Sequence, residues 1–171
     1  MNRAARIALP AYLLVIYSTL GVIRGVSNAL RDANLLRVTV ACVFAASAVA
    51  LVALLWRLGR LRHTRTWVTL ALAAAAYTAA IWPMQSPEEK VHFVEYGVVA
   101  VLAFFAAPDR LAGFRRYAAA AVFTLAAGWL DEGIQALLPS RYYDLRDVAF
   151  NAAAGVFALA ALAALRRKGD G

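Results

Sequence analysis

The sequence predicts an all-α, polytopic membrane bundle, on three observations. Of its 171 residues, 63% are hydrophobic, against about 45–50% in a soluble domain. The apolar residues fall into six long runs, and the basic residues stand in short clusters between them. A soluble domain of this length still exposes about a third of its unfolded surface. A surface this apolar needs lipid as its solvent, and the whole chain, 1–171, reads as a single transmembrane domain.

The six runs are 7–23, 38–56, 66–82, 91–107, 117–138 and 148–165. Each crosses, or nearly crosses, a hydrocarbon layer of roughly 30 Å at about 1.5 Å per residue. The first follows Arg3 and Arg6 like a secretory leader, but no small-x-small cleavage site succeeds it, so it is expected to be the first membrane helix. The second holds Cys42, the single cysteine, expected as a small buried hydrophobe. The third contains the stretch "ALAAAAYTAA", suited to close helix packing through small side chains. Pro87, Glu88 and Glu89 precede the fourth as an ordinary helix start, with both glutamates solvated near the positive end of the dipole. Pro139 closes the fifth. Asp144 is the expected N-cap of the sixth, with Asp147 as its acidic N3 residue. Trp56, Trp67, Trp82, Tyr142 and Tyr143 fall at run ends, where amphipathic rings anchor at an interface.

Orientation follows from counting Lys and Arg in alternate connections. One side carries twelve and the other six, which places both termini in the cytoplasm. Eight of the ten acids take the opposite, outward side. The net charge of +8 is therefore spent on topology. It does not form a phosphate-tracking face, which excludes a nucleic-acid partner. The hairpin "RLGRLRHTR" is part of that signal, with His63 solvated. No Walker loop and no H-E-x-x-H pattern occurs, and neither a cofactor nor a resident metal is expected.

Two outward connections gather the remaining polar residues, "SPEEKVHFVEYG" and "DEGIQALLPSRYYDLRDVAFN". His92, Glu95 and Tyr96 share one helix face at i, i+3 and i+4; Asp131, Glu132 and Gln135 share another. Asp147 and Asn151 stand four apart on the last helix. Ionised groups inside a membrane face the bundle interior and find partners there. Arg141 has the planar fork to answer Asp131 or Glu132 bidentately. Arg146 is expected to be exposed. Arg24 suits either snorkelling or the cluster. The candidate ligand-binding residues are His92, Tyr96, Glu132, Gln135, Arg141, Asp147 and Asn151.

At these positions the sequence resembles the VanZ-like family of bacterial membrane proteins. The resemblance rests on "HFVEYG", residues 92–97, and on the ordered series Glu132, Gln135, Arg141, Asp147, Asn151 and Gly155; it covers about residues 85–160. Lys90 stands two positions before His92, where the family pattern places a basic residue three before. The resemblance implies a multi-pass protein of the bacterial inner membrane. The family's founding member is associated with low-level resistance to teicoplanin, a lipid-tailed glycopeptide.

Two functions fit. In the first, the outward cluster binds the headgroup of a membrane lipid, a lipid-linked cell-wall precursor or a lipoglycopeptide antibiotic, and so modulates glycopeptide susceptibility. Arg141 would contact phosphate or carboxylate, with Gln135 and Asn151 as neutral partners. In the alternative, His92 is a general acid or base tuned by Glu95 or Glu132, acting on a lipid-linked substrate.

Overall fold

Each apolar run folds as a helix, and each connection carries the chemistry that stops one. The structure is a computed structural model that describes residues 3–82, 84, 87–139 and 141–166, with the backbone alone at Glu88. The described residues form six helices, α1 (Arg3–Asp32), α2 (Leu36–Arg57), α3 (Thr64–Ile81), α4 (Pro87–Ala106), α5 (Gly113–Ala136) and α6 (Leu145–Arg166), with a short 3-10 turn at Arg60–Arg62. No strand occurs among the described residues.

α1 runs nine residues past the expected end at Ile23, because nothing from Arg24 to Asp32 breaks a helix. It stops where Asn34 takes a left-handed φ of 57° and Leu35 N–H donates back to the Leu30 carbonyl at 2.7 Å. Asparagine tolerates that conformation, and the backward bond is a Schellman-type closure. α4 starts at Pro87, four residues before its apolar run, as the proline and following acids require. α5 ends at Ala136, two residues before the expected boundary.

Contacts along the bundle fix the helix directions. Arg6 of α1 donates to the Ala106 carbonyl at the end of α4 (3.2 Å), while Tyr17 donates to the Ala127 carbonyl of α5 (2.9 Å). Arg166 of α6 lies over the Phe104 ring, 5.1 Å from its centroid. α4 and α6 therefore run the same way, with α1 and α5 antiparallel to them. α4 and α6 make the most extensive contact, and α6 also packs on α3 and α5. A close approach is at Gly155, where a Cβ would lie 2.8 Å from Thr124 Cγ2 and 3.4 Å from Ala100 Cβ. Glycine is what allows α6 to seat there.

Among the described residues three helices, α1, α2 and α6, are long and apolar enough to cross a membrane, fewer than the six runs predicted. The reason is dilution. α3 carries Arg65 and the threonines at 64, 66, 69 and 78; α4 carries Glu89, Lys90 and Glu95; α5 is bracketed by Arg115 and Arg116 at one end and Asp131 and Glu132 at the other.

The outer surface inverts the soluble pattern. Leu14, Val22, Val49 and Leu72 are among many large apolar residues left exposed, while Asp131, Glu132, Gln135 and Asn151 are buried. Cys42 is exposed, contrary to the buried position expected of it, because α2 buries only Leu36 and Leu55. Trp56, Trp82 and Tyr142 are exposed at helix ends, as expected of anchors. Charge also separates along the bundle. Arg6 and Arg116 bond the last carbonyls of α4, where cations meet the negative end of its dipole; the acids gather at the other end.

Candidate functional site

The polar end is built from the starts of α4 and α6, the end of α5 and the 137–144 connection. Asp131 is its hub. The residue is fully buried, and its Oδ2 accepts a hydrogen bond from Tyr96 at 2.9 Å. His92 Nδ1 lies 3.7 Å from the same oxygen and 3.4 Å from Glu95 Oε2. The Tyr96 hydroxyl is also 3.3 Å from the Ala127 carbonyl. A phenol has one proton to give, and the nearer carboxylate is the stronger acceptor. Tyr17 fills the Ala127 carbonyl from α1, so the hub is bound by three helices. Asp131 Oδ1 has no hydrogen-bond partner among the described residues.

Glu132 does different work. Its Oε1 accepts from Gln135 Nε2 at 2.9 Å, and its Oε2 accepts from the Asp144 N–H at 3.0 Å. Asp144 Oδ1 in turn accepts from the Arg146 N–H at 2.8 Å, capping α6 as expected. In an ordinary capping box the N3 side chain would hold the N-cap N–H. Here Glu132 reaches across from α5 to hold it, which leaves the N3 residue, Asp147, out of that bond. Glu132 and Gln135 are thus a fastener between two helices, with both carboxylate oxygens engaged inside the protein.

Asn151 wedges between α4 and α5. A Cβ on Gly128 would lie 3.0 Å from Asn151 Cβ and 3.4 Å from Tyr96 Cε1, so this packing needs glycine at 128. Asn151 is 1% exposed, yet neither its Oδ1 nor its Nδ2 has a hydrogen-bond partner among the described residues. Burying an amide unpaired costs on the order of 1–3 kcal/mol, so such a group in a native fold calls for an explanation.

Arg141 departs from the expected fork. No ion pair joins it to Asp131 or Glu132, and its buried Nε lacks a hydrogen-bond partner among the described residues. Glu132 is filled by Gln135 and Asp144, while Asp131 gives Oδ2 to Tyr96 and keeps Oδ1 without a hydrogen-bond partner among the described residues. The Arg141 charge still acts on both Asp131 and Asp147. The guanidinium instead lines a cleft of about 180 Å³ together with His92 and Glu95. The facing wall belongs to α1 and α2, with Leu20, Ile23, Val26, Leu36 and Val40.

The structure therefore gathers the predicted residues into two linked groups, His92–Glu95–Tyr96–Asp131 and Glu132–Gln135–Asp144, with Asn151 between helices and Arg141 at the cleft. Asp147 is half-buried and Arg146 exposed. Glu89 is half-buried where a solvated position was expected; the Glu88 side chain lies outside the described residues. Asp131 and Tyr17 were missed as site residues. Thr124, Gly128, Asp131 and Gln135 share one face of α5, a small-and-polar stripe that marks the packed side and could have ranked Asp131 above Glu132. The α1–α2 wall gave no polar signal to find. Among the described residues no three His, Cys, Asp or Glu side chains group to hold a metal ion.

The fold and site define an all-helical protein with three helices fit to cross a membrane and a buried polar cluster at one end. No family model, no curated protein and no solved structure matches this chain.

Proposed function

We propose that this chain is a six-span protein of the bacterial inner membrane, both termini cytoplasmic, whose outward end binds the anionic headgroup of a lipid or lipid-linked molecule. The resemblance to the VanZ-like family makes a lipid-linked cell-wall precursor or a lipoglycopeptide the natural candidates, with antibiotic susceptibility as the cellular consequence. The three less apolar helices support six spans by their company. α4 lies against α1 and α6 from the Arg6–Ala106 bond at one end to the polar cluster at the other, so it traverses whatever layer they traverse. Its described charged residues, Glu89, Lys90 and Glu95, are partly buried, and charge inside a membrane survives by finding partners in the bundle. The arginines at the opposite end agree with a cytoplasmic side.

One observation carries the headgroup reading. Arg141 lines a largely apolar cleft with its Nε buried and unpaired among the described residues, while both oxygens of Glu132 are engaged elsewhere. A guanidinium so placed is a ready partner for phosphate or carboxylate. Thermal unfolding in neutral detergent tests it. Added phosphatidylglycerol should raise the midpoint of the wild type, phosphatidylcholine should not, and Arg141→Gln should abolish the difference. An equal response in Arg141→Gln contradicts the reading.

A second reading has its own support. His92 Nδ1 stands within 4 Å of two carboxylates, and Asp131 links it to Tyr96. That arrangement suits a general acid–base acting on a lipid-linked substrate. It requires the lipid composition of cells to change on deletion of the gene and on His92→Gln alike; an unchanged composition rules it out.

A further inference from the structure

We infer that the cleft between the α1–α2 hairpin and α4 is the seat of a single hydrocarbon chain, so that the ligand class is a one-chain amphiphile with a phosphate head. This rests on the headgroup reading and adds the part of the ligand that the polar cluster does not select.

α1 is longer than the apolar run that forms it. The nine residues past Ile23 carry α1 roughly 14 Å further, beyond the start of α4, and Val26, Ser27 and Leu30 of that extension line the cleft. From the other arm, Leu36, Val40 and Val43 of α2 line it too. The hairpin thus offers an apolar wall opposite His92, Glu95 and Arg141. Apolar lining with a few placed polar groups is the composition of small-molecule sites.

Size decides how much fits. An apolar cavity of about 150 Å³ holds one benzene, so about 180 Å³ accepts one short run of hydrocarbon and not two chains side by side. The remainder of a long chain leaves toward lipid, and α2 is the yielding side: only 6% of its most apolar window is buried, against 28% for α6. Polyprenyl phosphates and single-chain phospholipids share this chemistry, a branched chain in one case and a straight chain in the other.

The test uses wild-type protein and hexadecyl phosphate carrying a diazirine near the head end of its chain. Adducts should map to residues 16–30 and 36–43. Excess hexadecyl or geranylgeranyl phosphate should compete at least tenfold better than dihexadecyl phosphate, and the stronger of the two names the chain type. Val40→Trp, which fills the cleft, should lower labelling about tenfold; Val49→Trp, on the exposed face of the same helix, should leave it unchanged. Adducts spread over the exposed faces, or equal competition by the two-chain phosphate, overturn the inference without reference to any variant. Labelling that survives Val40→Trp but is lost in Arg141→Gln overturns the chain seat and leaves the headgroup reading standing. Labelling in the cleft that is lost in Val40→Trp but survives Arg141→Gln removes the phosphate from the account and with it the proposed ligand class.

Discussion

α2 and the second half of α5 obey opposite rules. α2 is the most apolar of the three candidate spans, and of its 22 residues it buries only Leu36 and Leu55. α5 buries Thr124, Gly128, Asp131, Glu132 and Gln135. In water both would be inside out. In lipid both are at minimum cost, because hydrocarbon gains little by leaving lipid for protein, whereas a polar group gains a great deal by finding another. Helix association therefore falls to close packing at small residues and to polar contacts, as at Gly128, Gly155 and the Glu132–Asp144 bond.

That contrast can be broken at either region. The largest effect is expected from Val49→Asp at the middle of α2: insertion should cost about 2.5–3.5 kcal/mol, seen as loss of membrane-integrated protein. Unimpaired integration would mean that α2 faces water. Gly155→Val should rank next, since its side chain meets Thr124 and Ala100, and overpacking costs roughly 1–3 kcal/mol, read from the unfolding midpoint in detergent. Glu132→Ala strands the Asp144 N–H and the Gln135 amide, a loss of about 1–3 kcal/mol; Glu132→Gln, which keeps an acceptor, should lose less. Asp144→Ala removes the α6 cap for about 1 kcal/mol. Val49→Leu should stay within about 0.5 kcal/mol, because an exposed apolar side chain has no packing to disturb.

Much of the architecture was legible in the sequence, for identifiable reasons. Six apolar runs became six helices, the first despite Pro10 inside it, and Pro87, Asp144 and Pro139 punctuate where their backbone chemistry requires. The i, i+3 and i+4 spacing placed His92, Glu95 and Tyr96 together. Pairing between helices was not legible. Nothing local indicates that Glu132 serves the α6 cap, that the Arg141 Nε finds no hydrogen-bond partner among the described residues, or that Tyr17 supports the hub from 110 residues away. The extension of α1 was also hidden, since its polar residues read as a loop while its backbone had no reason to stop. The exposure of Cys42 follows from how little α2 packs, which only the fold reveals.

The proposal turns on Arg141, whose Nε has no hydrogen-bond partner among the described residues, holding an anion at the cleft. Native mass spectrometry of the protein released from its own membrane tests it most directly. The account predicts one anionic lipid or lipid-linked molecule retained per chain by the wild type and at least tenfold less by Arg141→Gln, with folding intact. Equal retention by the two proteins, or a wild type that carries only neutral lipid, would contradict it.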